Sequence, residues 1–157
     1  GLMQRSRILL VEDNSINALL ATRMIEKAGC NVHAVSLGLE AVATMQRVID
    51  GEEAAYDLVL MDIHMPGMDG VEAAKQIKAL FAGTSIEVDK TVGASGEPLV
   101  CPPIVALTAN AFSEDKKHYL DSGMDGYLAK PFDMQDLEVL IARWLPNRLA
   151  MKETKAS

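Results

Sequence analysis

Five polar residues sit at the carboxyl ends of apolar runs and carry the chemistry open to this chain. Glu12 and Asp13 follow Arg7 to Val11 (RILLV). Asp62 follows Asp57 to Met61 (DLVLM), Thr108 follows Pro103 to Leu107 (PIVAL), and Lys130 follows Gly126 to Ala129, just before Pro131. Three carboxylates brought together repel, at about 1.4 kcal/mol for each unit of pKa displacement, so they call for a cation. Oxygen ligands suit a hard divalent ion, here magnesium, with manganese as the alternative. Asp13 and Asp62 are expected to bind it directly and Glu12 through water, with the backbone carbonyl of His64 as the third protein ligand. Magnesium keeps several waters, one of which a phosphoryl oxygen can replace.

An aspartate next to such an ion can attack phosphorus and form an acyl phosphate. The metaphosphate-like transition state spreads charge over three equatorial oxygens. The metal can take one and Lys130 the second. The Thr108 hydroxyl and backbone N–H groups near His64 and Ala109 can take the third. The small side chain of Ala109 leaves access for a phosphodonor and for water. Each residue alone has an ordinary explanation as a cap, a strand end or a solvated loop. The set is far more specific than its members.

The elements that must position these residues alternate. After Arg7 to Val11, residues 15–28 repeat apolar side chains at helical spacing (Ile16, Leu19, Leu20, Met24, Ile25), with Ser15 as the expected N-cap and Gly29 as the C-cap glycine. Asn31 to Val35 reads as a strand and Gly38 to Ile49 as a helix. Helices are also expected from Gly70 to Phe81 and from Ser113 to Ser122. A last helix, capped by Asp133, runs to about Leu145 and ends at Pro146. Continuous apolar strands between helices imply a parallel sheet covered on both faces. Right-handed crossovers place helices on both sides. A strand order of 2-1-3-4-5 would bring all five polar residues to one edge and set Asp13 beside Asp62, where ligands bind in such folds.

Residues 83–102 (GTSIEVDKTVGASGEPLVCP) break this rhythm and read as an exposed insertion, with at most a weak hairpin over 86–92. The 157 residues suit one domain, and 49% hydrophobic residues with 4% aromatics imply an aliphatic, Met-rich core. A net charge of −7 counts against nucleic-acid or anionic-membrane binding. Cys30 and Cys101 form no CxxC pair, which fits a reducing cytoplasm, and Cys30 is expected to be packed. No apolar run reaches the roughly 18 residues of a membrane span. Gly1 and Leu2 before Met3 suggest a piece of a longer protein.

The motifs LLVEDN (Leu9 to Asn14), LVLMDIHMPGMDG (Leu58 to Gly70), ALTAN (Ala106 to Asn110) and GYLAKPF (Gly126 to Phe132) resemble those of the receiver domains of two-component signalling. The resemblance implies a flavodoxin-like (βα)5 three-layer α/β sandwich over residues 6–146, followed by a tail at 147–157. It implies Asp62 as phosphoacceptor, Glu12 and Asp13 as metal acids, Thr108 as switch hydroxyl and Lys130 as the phosphate-binding lysine. It further implies a cis peptide at Lys130-Pro131. Such a domain promotes its own aspartyl phosphorylation and dephosphorylation.

Tyr127 falls where the family carries its rotameric switch aromatic. Phosphate would draw the Thr108 hydroxyl inward, Tyr127 would turn in behind it, and the face of the fourth helix, fifth strand and last helix would change. VEDN with Asn17, TANA and KPF are similar to receivers attached to hybrid histidine kinases. The implied partners are a histidine kinase core and a histidine phosphotransfer protein, in the cytoplasm; a free-standing receiver is the alternative. The insertion at 83–102 departs from the family pattern. His33 and His118 read as surface residues. A phosphatase with an aspartate nucleophile would want a second acid where His64 stands. A flavodoxin-like cofactor binder would not place Glu12 and Asp13 at its phosphate loop. A pseudo-receiver acting only as an interaction module should lack the acids or the lysine, which are all present.

Overall fold

The computed structural model describes residues 6–63, 70–84, 100–108, 124–130 and 132–145. The expected helix over 113–122, the hairpin over 86–92, most of the insertion and the tail lie outside them. Five strands, β1 (Arg7–Val11), β2 (Asn31–Val35), β3 (Leu58–Asp62), β4 (Ile104–Thr108) and β5 (Gly126–Ala129), form one parallel sheet of order β2-β1-β3-β4-β5. The expected order is the observed one. The helices are α1 (Ser15–Lys27), α2 (Gly38–Ile49), α3 (Gly70–Thr84) and α4 (Met134–Trp144).

Successive strand side chains point to opposite faces. Leu9, Val11, Val59 and Met61 meet Met45 of α2 and Ile77 and Phe81 of α3. Ile8, Leu10, Leu58 and Leu60 meet Ile25 of α1 and Leu137 and Ile141 of α4. Each fully buried side chain of this kind contributes about 1.5–3 kcal/mol, and both faces of the central strands take part. Cys30 is fully buried, as expected of a small packed hydrophobe. β2 departs from the continuous burial expected, with only Val35 buried, because it closes one edge of the sheet.

Several boundaries differ from the sequence expectation. β3 and β4 each run one residue further, so Asp62 and Thr108 are the last residues of their strands. α3 continues past Phe81 to Thr84. The cap of α1 is Asn14 and not Ser15. Asn14 is extended (φ −82, ψ 118), and its Oδ1 accepts from the amides of Ile16 and Asn17, both at 3.0 Å. Ser15 is already helical. Gly29, at φ 91, follows the C-cap of α1 in the left-handed conformation that glycine adopts without penalty. Asp133 caps α4 as expected, in a capping box with Asp136 (2.8 and 3.0 Å).

Candidate functional site

The ladder continues past the strand ends and fixes the residues that follow. The Glu12 amide donates to Val35 O (3.1 Å), the Ile63 amide to Leu107 O (3.2 Å) and the Lys130 amide to Thr108 O (2.8 Å). With Val11 opposite Met61 and Asp62 opposite Leu107, the parallel register delivers all these side chains to the carboxyl edge of the sheet.

There the side chains converge. One carboxylate oxygen from each of Glu12, Asp13 and Asp62 lies within 4.8 Å of the others. Glu12 (3% exposed) and Asp62 (4%) are buried, whereas Asp13 is exposed. Lys130 reaches over β4 to Glu12 Oε2 at 2.7 Å and Asp62 Oδ1 at 3.3 Å. Asn14 N–H donates to Glu12 Oε1 at 3.2 Å, so this residue caps α1 and braces the acidic loop. Sequence reasoning missed that role, although an Asn directly after Glu-Asp and before a helix was its signal. Thr108 is buried (1%) at the end of β4, one residue past the register partner of Asp62.

The electrostatics follow from this crowding. Burial pushes the Glu12 carboxyl above its usual range; Lys130 and the Asn14 amide draw it partway back, and the neighbouring Asp62 adds to the rise. Burial would lower the Lys130 ammonium, but its hydrogen bond to Glu12 and the charge of Asp62 outweigh it, and the net shift is upward. Lys130 is therefore held as a cation. Among the described residues, three carboxylates face one ammonium, a formal excess of two negative charges. A cluster of carboxylate oxygens with that excess matches a hard divalent cation in both charge and donor type.

Tyr127, half-buried in β5, packs against the core on the α2 and α3 side. It also borders a cavity of about 380 Å³ between β5 and α4, lined by Leu128, Leu140, Arg143 and Trp144 among others. His33 is exposed, as expected. His64, Ala109, Pro131 and His118 lie outside the described residues, and with them the expected backbone ligand, the phosphate-binding amide and the cis peptide.

Comparison with known proteins gives consistent matches. The family model described as the response regulator receiver domain matches residues 8–88. The chain is 36% identical to the probable histidine kinase 1 of Oryza sativa subsp. indica, over 90% of this chain and 16% of that protein. It thus spans a small part of such curated relatives. Among solved structures, it resembles the receiver domain of a sensor histidine kinase from Pseudomonas aeruginosa PAO1, which has a magnesium ion in its active-site cleft. The identity is 34% and the TM-score 0.69, covering 90% of this chain and 98% of that one. It also resembles the receiver domain of Saccharomyces cerevisiae Ssk1, solved with the histidine phosphotransfer protein Ypd1. There the identity is 30% and the TM-score 0.71, covering 92% of this chain and 91% of that one.

Proposed function

The chain belongs to the response regulator receiver domains of two-component signalling, and from that premise we propose that Asp62 is its phosphoacceptor. A carboxylate oxygen of Asp62 attacks the phosphorus of a phosphohistidine. The P–N bond breaks, its electron pair stays on the imidazole nitrogen, and an aspartyl phosphate forms. Glu12, Asp13 and Asp62 would hold magnesium, which supplies Lewis-acid stabilisation of charge on the transferring group. Lys130, already a cation beside Asp62, meets a further phosphoryl oxygen. The Thr108 hydroxyl takes another, and Tyr127 answers its movement on the side of β5. The observation that carries the proposal is the cluster of the Glu12, Asp13 and Asp62 carboxylates, with the Lys130 ammonium 3.3 Å from Asp62 Oδ1.

The donor is a protein, most economically a histidine phosphotransfer protein, with a histidine kinase core as the alternative. Beside the acidic loop, α1 exposes Ile16 (68%), Leu19 (52%) and Leu20 (56%), apolar surface of the kind that binds a partner helix. The similarity to histidine kinases supports a hybrid kinase parent. No helix among the described residues is long and apolar enough to cross a membrane. The cytoplasmic placement we propose rests instead on Cys30 and Cys101, both free thiols. The test is titration with magnesium and beryllofluoride, followed by two-dimensional amide NMR. Saturable, magnesium-dependent shifts around Asp62, Thr108 and Tyr127 that vanish in Asp62→Asn are expected. A folded wild type without response would overturn the assignment.

A further inference from the structure

We infer that Gly70 is a positioning residue for the Asp62 carboxylate. Gly70 is the buried first residue of α3, and its amide donates to Ile63 O at 3.1 Å. A Cβ built on it would overlap the backbone carbonyl oxygen of Asp62. It would also lie 3.0 Å from the Cα of Ile63 and 3.0 Å from the Cγ of Met61. The first turn of α3 is thus seated on the three consecutive residues that present the phosphoacceptor.

The demand for glycine here is one of space. Gly29 and Gly51 are the positive-φ glycines among the described residues, and Gly70 is not one of them. Nor can the contacted atoms yield easily. The Met61 side chain is fully buried in the core, the Asp62 backbone is paired with Leu107, and the Ile63 amide is bonded to Leu107 O. A side chain at position 70 must therefore lift the start of α3 or turn the Asp62 peptide. Either would move a carboxylate that has to keep its place beside Glu12, Asp13 and Lys130. A displacement of about 1 Å matters in such a constellation.

The inference rests on Asp62 being the phosphoacceptor, and the experiment separates the two claims. Magnesium affinity is read from the Asp62 and Ile63 amide shifts in wild type, Gly70→Ala, Asp62→Asn and Gly126→Ala. Gly126 is a matched control, since a Cβ there would lie 2.9 Å from Trp144 Cζ2, away from the carboxylates. Urea denaturation of each variant reports the stability lost. Gly70→Ala is expected to weaken magnesium binding by about tenfold or more, whereas Gly126→Ala loses stability with its magnesium affinity unchanged. In wild type, magnesium with beryllofluoride is expected to slow hydrogen exchange of the Gly70 amide, a readout that stands even where Gly70→Ala does not fold. Wild-type magnesium affinity in folded Gly70→Ala, or Gly70 exchange indifferent to magnesium, overturns the inference alone. A folded wild type whose amides respond to magnesium with beryllofluoride no more than those of Asp62→Asn overturns the phosphoacceptor assignment beneath it.

Discussion

Lys130 and Glu12, 118 positions apart in the chain, meet at 2.7 Å, and the same ammonium lies 3.3 Å from Asp62. Lys130 thus serves as resident counter-charge for two buried carboxylates. Replacing it with alanine removes the ammonium that the two carboxylates share. Lys130→Ala is expected to lower stability at neutral pH by about 1–3 kcal/mol. Magnesium should then raise the melting temperature more in the variant than in wild type, because the ion supplies charge that the side chain no longer does. Thermal denaturation with and without magnesium checks both parts.

The exposed face of α1 gives a prediction about partner choice. Ile16→Asp and Leu20→Asp alter exposed side chains, so stability should change by less than about 0.5 kcal/mol. Phosphotransfer from a histidine phosphotransfer protein is expected to slow by about tenfold or more. Phosphorylation by a small acyl phosphate should be unchanged. Parallel rates with the two donors decide the matter; equal slowing with both would place the effect in the pocket itself.

Away from the site, Tyr56 donates to Glu53, which also pairs with Arg47 at 3.2 Å. Burial opposes ionisation of Glu53, but the Tyr56 hydroxyl and the Arg47 guanidinium outweigh it and hold the carboxyl below its ordinary 4.5. A depressed folded-state pKa gives stability that is present above the unfolded value and lost as pH falls through the folded one. Tyr56→Phe is therefore expected to cost about 1 kcal/mol at neutral pH. The gap to wild type should close as pH drops below the ordinary carboxylate range. Urea denaturation across pH measures it.

Asp125 Oδ2 accepts from Ile104 N at 2.7 Å and from Lys78 Nζ at 3.0 Å, joining the start of β4 to α3. The two bonds differ in worth. The Lys78 pair is a third exposed on both sides and contributes little, so Lys78→Ala should cost less than about 1 kcal/mol. Asp125→Ala also removes the acceptor of a backbone amide at a strand start. It is expected to cost about 1–3 kcal/mol, with Asp125→Asn intermediate. Denaturation midpoints of the three variants test the ranking.

What could be read in the sequence, and what could not, divides along local and tertiary causes. Glu12, Asp13, Asp62 and Lys130 were legible because apolar runs mark strands and the parallel topology fixes which strand ends share an edge. The cap of α1 fell one residue early because Asn and Ser are comparable capping residues, and only the folded geometry shows that the side-chain Oδ1 of Asn14 accepts from two amides. The exposure of β2 follows from its edge position, which the expected strand order already implied, although Val32 and Ala34 taken alone read as core residues. The contact of Gly70 with the Asp62 peptide depends on how α3 settles on β3. Its glycine could be noticed in sequence, but not what it touches.

The central claim is that Asp62 receives the phosphoryl group. The most direct measurement is intact-mass and tandem mass spectrometry of the chain after exposure, with magnesium, to a phosphorylated histidine phosphotransfer protein. One phosphoryl group localised to Asp62, lost on adding a chelator before the donor and absent in Asp62→Asn, is the predicted result. Transfer to another residue, or a chain that stays unmodified while the donor phosphorylates a control receiver, would contradict it.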